Sequence, residues 1–301
     1  MVDISTRLLK KRLKNPTILT SGILGISSST LLRVANSGAG AVTTKSIGPR
    51  RREGHKNPVV VETPCGLLNA IGLSCPPLGE SIEELKDLVK KSRVPVIASI
   101  YGRNVEEFVE VAEKISRVKP DFLELNVSCP NIEGKPFGVN AEISARITEM
   151  VKDSTDISVI VKLTPNVSDI AEIAKAVEGA GADAISAINS CSGMAINIET
   201  SRPILANKFG GLSGPAIKPI AVRCVYEIYE DVDIPIIGIG GIQSGRDAIE
   251  MMMAGASAVG IGTAVMNHGI EIFTRICSEI EKFMEQYNYS RIEELIGKAH
   301  E

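Results

Sequence analysis

Residues 234–264 read IPIIGIGGIQSGRDAIEMMMAGASAVGIGTA, two short apolar runs that each end in glycine turns, with a helix-forming stretch between them. The runs Ile234–Gly238 and Ala258–Gly262 do not alternate apolar with polar residues. Such continuous runs suit parallel strands buried on both faces. The stretch Arg246–Ala254 between them reads as a helix, and its Met251-Met252-Met253 stripe as the face that packs on a sheet. Strand, helix, strand in that order is the unit of an α/β fold.

The same unit recurs upstream. Further strands are expected at Thr17–Thr20, Ala41–Lys45, Val94–Ile100, Phe122–Val127, Ser158–Leu163 and Ala184–Asn189. Helices are expected at Ser81–Ser92, Val105–Val118, Ala141–Ser154, Ser168–Gly179 and Ala216–Tyr229. Eight strand–helix alternations in 301 residues point to a (β/α)8 TIM barrel, with an open doubly wound sheet as the alternative. Residues 1–301 are expected to form a single domain, since no repeat, low-complexity tract or linker interrupts them. Two segments are longer than ordinary connections. Ser46–Glu80 contains five glycines and five prolines, and Ser190–Gly214 separates the sixth strand from its helix. Both follow the C-terminal ends of strands, the face on which barrels build active sites, so both are expected to carry function.

Composition narrows the functional classes. With 44% hydrophobic and 23% charged residues the chain is ordinary globular material. A net charge of −3 gives no overall pull toward nucleic acid or an anionic membrane. The six cysteines form no CxxC pair and the three histidines lie far apart, so no metal site is expected. Met1–Lys14 is basic and lacks the apolar core of a signal peptide. The longest charge-free stretch, Met251–Ile270, holds four glycines and reads as helix end, strand and loop. A cytoplasmic enzyme with neither nucleic-acid nor membrane partners is the expectation.

The chemistry concentrates at strand ends. Gly238-Ile239-Gly240-Gly241-Ile242-Gln243 begins like GxGxxG and fails at its sixth position, so a nicotinamide fingerprint is absent. The glycines after strands seven and eight, with Gly262-Thr263 opening the next segment, instead fit the phosphate site of a barrel. Glycines that merely make tight turns are the competing explanation. Strands two and five end in Lys45 and Lys162, where an ammonium can meet an anion or an electron-rich cofactor. A lysine at a strand end is also an ordinary surface residue. Asn69, Asn126, Asn131 and Asn189 carry the donors and acceptors that complement an amide or pyrimidine edge, which argues for a small polar heterocycle. Cys129 lies in NVSCPN on a proline-broken, lid-like loop, either a small hydrophobe or a working thiol.

These motifs make up a family pattern. The chain resembles the class 1 dihydroorotate dehydrogenases through LKNPTILTSG (Leu13–Gly22), TTKSIG (Thr43–Gly48), TPCGLLNAIGL (Thr63–Leu73), NVSCPN (Asn126–Asn131), VKLTPN (Val161–Asn166), NKFGGLSGPAIKP (Asn207–Pro219) and the two glycine runs. NVSCPN and GGLSGPAIKP are the specific ones. Class 2 relatives carry a serine base and an N-terminal membrane-associating extension. Cys129 at the base position, in a chain that starts almost at the barrel, favours class 1.

The resemblance implies one FMN per chain and oxidation of dihydroorotate to orotate in pyrimidine biosynthesis, with Cys129 and Lys162 catalytic. It assigns flavin contacts to Ser21, Lys45, Ser46, Asn126, Lys162 and Ile188, and the phosphate side to Gly214, Gly240, Gly241, Gly262 and Thr263. Orotate contacts are assigned to Lys45, Asn69, Ala70, Ile71, Gly72 and Leu73, and to Asn126, Asn131, Asn189 and Ser190. Cys65 and Ser99 depart slightly from the pattern. The wording is most similar to type B, which implies a partner subunit carrying FAD and an iron–sulfur cluster, a heterotetramer of two of each chain around a homodimer core, and NAD+ as acceptor. A fumarate-linked type A enzyme and a tRNA-dihydrouridine synthase are the alternatives.

Overall fold

A computed structural model describes residues 2–128 and 137–301. The expected sites Cys129 and Asn131 lie outside the described residues.

All eight expected strands are present: β1 (Thr17–Leu19), β2 (Ala41–Thr43), β3 (Val96–Ile100), β4 (Phe122–Asn126), β5 (Val159–Leu163), β6 (Ala184–Ala187), β7 (Ile236–Ile239) and β8 (Ala258–Ile261). They pair in parallel in chain order, and β8 pairs with β1 to close a barrel. The TIM-barrel expectation holds and the open sheet does not. Outside it lie α1 (Ser28–Asn36), α2 (Leu78–Lys91), α3 (Val105–Ser116), α4 (Ala141–Ser154), α5 (Ile170–Gly179), α6 (Lys218–Asp231), α7 (Gly245–Met253) and α8 (Ile272–Gln286). Side chains of Ser27, Asn104, Asn140, Asp169 and Ser244 accept from the first free N–H groups of α1, α3, α4, α5 and α7, which fixes where those helices begin. Among the described residues no helix is long and apolar enough to cross a membrane.

Inside the barrel the chemistry changes with height. Side chains two apart on a strand share a face. The lower inward positions, Ile18, Ala41, Ile97, Phe122, Ile160, Ala184, Ile237 and Ala258, form one apolar cluster. One step toward the C-terminal ends, the inward positions on β2 to β6 become Thr43, Ser99, Glu124, Lys162 and Ser186, all buried. The barrel is therefore a dry base carrying a polar layer, and the site sits above that layer.

Two features had no counterpart in the sequence reading. Thr6–Leu8 and Lys11–Leu13 pair as an antiparallel hairpin whose fully buried Leu8 and Leu13 close the bottom of the barrel. The two long insertions, expected as separate loops, join in one antiparallel sheet ordered Cys191–Met194, Phe209–Ser213, Gly66–Asn69, Val60–Thr63. Its strands, such as FGGLS and CSGM, are rich in glycine and serine and carry no apolar alternation, and their pairing joins distant parts of the chain.

Candidate active site

The insertion sheet and the strand ends enclose a cavity of about 490 Å3 over the barrel mouth, within the range of small-molecule sites. Every sequence-assigned site residue among the described ones lines it. The ends of β1 and β2 and the first insertion bring Ser21, Lys45, Ser46 and Asn69–Leu73. Strands β4 to β6 bring Asn126, Lys162, Ile188, Asn189 and Ser190. Gly214 comes from the second insertion, and Gly240, Gly241, Gly262 and Thr263 from the last two strand ends.

One wall is a chain of hydroxyls and amides. Ser21 and Ser46 share a hydrogen bond of 3.3 Å, and Ser46 and Ser99 one of 3.0 Å. Asn126 Nδ2 donates to Ser46 Oγ at 3.1 Å, and Asn189 Nδ2 donates to Asn126 Oδ1 at 3.4 Å. Asn189 Oδ1 in turn accepts from the Ser190 N–H at 2.8 Å. These contacts fix which end of each amide faces which way, the requirement for reading a polar heterocycle by its edge. Ser99, a departure from the family pattern, is thus a buried link of this wall.

Two ammonium groups reach the same space. Lys162 stands in register with Asn126 on β4 and Ser186 on β6. It is 6% exposed, and no carboxylate among the described residues pairs with it. Lys45 likewise has no ion-pair partner among them. Burial pushes the Lys45 ammonium below its ordinary range, and the nearby Cys75 thiol partly offsets the shift. Two cations, Lys162 buried and Lys45 half-buried, with no ion-pair partner among the described residues make this end of the cavity a receptor for negative charge. In the same polar layer as Lys162, Glu124 Oε2 accepts from Ser186 Oγ at 2.9 Å, while its Oε1 has no partner among the described residues.

The opposite end is built from the β7 and β8 turns. Gly240 and Gly241 have φ of +140° and +74°, and a Cβ on Gly241 would lie 2.6 Å from Lys218 Cβ. Only glycine fits that turn. Gln243, the residue at which GxGxxG fails, lines the cavity with its Nε2 buried and without an acceptor. Ser128 Oγ is a second buried, unpartnered group on the lining. Orphaned donors of this kind are costly unless a ligand accepts from them. A glycine turn beside an unpartnered amide suits a phosphate, and buried ammonium groups suit an electron-rich ring, so the residues present fit a flavin nucleotide. Sequence reasoning missed Gln243, Ser128, Arg52 and His55, all on the cavity wall. The break in the fingerprint was the one signal that could have drawn attention to Gln243.

The model of the dihydroorotate dehydrogenase family matches residues 3–284. A relative from Methanocaldococcus jannaschii, named dihydroorotate dehydrogenase B (NAD(+)), catalytic subunit, is 50% identical over 303 residues, covering 99% of this chain and 98% of its own. Its namesake in Methanosarcina acetivorans is 51% identical over 292 residues, 96% of this chain and 94% of the relative. One in Pyrococcus furiosus is 48% identical over 300 residues, 99% of each.

Proposed function

The chain belongs to the dihydroorotate dehydrogenase family, and on that premise we propose that it oxidises dihydroorotate to orotate in pyrimidine biosynthesis as the catalytic subunit of an NAD+-linked, type B enzyme. The family is flavin-dependent, and FMN, one per chain, is the flavin this cavity suits. The observation that carries the reading is one cavity with a phosphate-type turn at one end and a fixed amide wall at the other.

When bound, FMN supplies the acceptor for the hydride that leaves C6 of the substrate. Gly214, Gly240, Gly241, Gly262 and Thr263 hold its phosphate side, with Gln243 donating from the turn. Ser21, Lys45, Ser46, Asn126 and Ile188 would hold the ring, and the Lys162 ammonium would offset negative charge on it. Asn69, Asn126, Asn131, Asn189 and Ser190 orient the pyrimidine, while Lys45 and the Ala70–Leu73 segment receive its anionic end. Holding the two rings together supplies most of the orientation the reaction needs. The Cys129 thiolate takes the C5 proton. A partner subunit carrying FAD and an iron–sulfur cluster would supply the relay to NAD+, in a complex of two of each subunit.

The test is anaerobic. Purified chain should be yellow, and dihydroorotate should bleach it in a stopped-flow experiment. Cys129→Ala should still change its flavin spectrum on binding orotate, yet reduce about 10²–10⁴-fold more slowly. A flavin that dihydroorotate leaves oxidised would overturn the assignment. Parental reduction rates in the alanine variant would remove Cys129 as the base.

A further inference from the structure

The Ala70–Leu73 segment is held in place by residues outside the assigned site. The segment Gly54-His55 crosses it at close range: a Cβ on Gly54, whose φ is +86°, would come within 2.4 Å of the Ile71 carbonyl oxygen. The backbone N–H of His55 donates to that same oxygen at 3.1 Å. The His55 ring lies 3.1 Å, through Nδ1, from the Ala70 carbonyl oxygen. A carbonyl only accepts, so Nδ1 carries the proton in this contact. The ring also covers Gly72, where a Cβ would lie 2.8 Å from the ring's Cγ and φ is +76°. From beneath, the buried Tyr101 hydroxyl donates to the Leu73 carbonyl at 3.4 Å.

The consequence follows from peptide planarity. In a trans peptide the N–H points opposite to the C=O of the same unit. Drawing the Ala70 and Ile71 carbonyls toward His55 turns the N–H groups of Ile71 and Gly72 the other way. Among the described residues nothing accepts from either N–H, and both residues line the cavity together with His55. Two adjacent free N–H groups make a concavity that favours an anion.

We infer that His55 is a positioning residue: its Nδ1–H and backbone N–H hold the Ala70 and Ile71 carbonyls on its own side of the segment, so that the Ile71 and Gly72 N–H groups on the opposite side face the anionic end of the substrate. This rests on the reading of the cavity as the dihydroorotate site. His55 never touches the reacting atoms, and it is exposed, so its replacement leaves the barrel intact.

The device makes His55→Ala and His55→Asn differ. Asparagine Nδ2 can donate from about the position of histidine Nδ1, whereas alanine cannot. The flavin-loaded chain is titrated with orotate by its visible spectrum, and hydrogen exchange of the peptide covering residues 66–75 is followed without ligand. His55→Ala should weaken orotate roughly fivefold to tenfold, about one hydrogen bond, and speed exchange across Ala70–Gly72. The kinetic loss should fall on KM more than on kcat. His55→Asn should stay within about twofold of the parent in both measurements. Parental orotate affinity and exchange in His55→Ala would overturn the inference, as would an asparagine variant as impaired as the alanine one. Failure of the parent to bind orotate would strike the substrate reading instead, while exchange still reports on whether His55 orders the segment.

Discussion

Lys45 shows what a binding site costs a single side chain. Its ammonium is partly desolvated, and burial lowers its pKa from the ordinary 10.5. A lysine whose folded pKa lies below its unfolded value destabilises the fold wherever it is charged in both states, and that loss disappears as pH rises past the unfolded pKa. In flavin-free protein, Lys45→Met should therefore raise the melting temperature at pH 7, and the gain should shrink by pH 10. The same variant should lose affinity for orotate about tenfold or more, since a hydrogen bond to a charged group is stronger than a neutral one. A variant less stable than the parent at pH 7 would mean that Lys45 is satisfied without ligand. At this scale the sequence was legible where a residue belongs to a family motif, as Lys45 does in TTKSIG. His55, Tyr101 and Gln243 were opaque because their importance lies in which carbonyl or cavity they face, and only the folded chain decides that.

Elements divide along a different line. Strands buried on both faces appear as unbroken apolar runs, and all eight were found with ends shifted by only a few residues. Helix α2 begins at Leu78, three residues before the expected Ser81, because the chain turns helical directly after Pro77. The insertion sheet escaped because pairing between residues 66–69 and 209–213 is a property of the closed barrel that brings both insertions to one face. The N-terminal hairpin escaped for another reason: half of LLKKRL is charged, and its apolar residues, Leu8 and Leu13 fully buried and Leu9 partly, show no strand alternation. Leu13 is fully buried against the apolar base of the barrel. Leu13→Ala should cost about 2–5 kcal/mol in a denaturant titration. Its flavin content should hold, because the polar layer separates that base from the cavity. A loss under 1 kcal/mol would mean that the hairpin lies on the barrel without stabilising it.

At the scale of the whole molecule the question is where the electrons leave. On the proposed reading a flavin at the barrel mouth is reduced by substrate within this chain alone, since the residues assigned to both ligands line one cavity. Onward transfer to NAD+ needs a nicotinamide site and a relay. The only glycine fingerprint fails at Gln243, and the six cysteines are too scattered in sequence to form an iron–sulfur motif. The relatives' shared name, catalytic subunit, speaks of another subunit in their complexes. The isolated chain should therefore pass electrons from dihydroorotate to an artificial dye and reduce NAD+ negligibly. Co-expression with a subunit carrying FAD and an iron–sulfur cluster should add NAD+ reduction without changing the rate at which dihydroorotate bleaches the FMN. Comparing that half-reaction with steady-state turnover separates chemistry inside the barrel from transfer out of it. NAD+ reduction by the lone chain at the dye rate would sink the two-subunit reading, and efficient fumarate reduction would replace it with direct transfer at the barrel mouth.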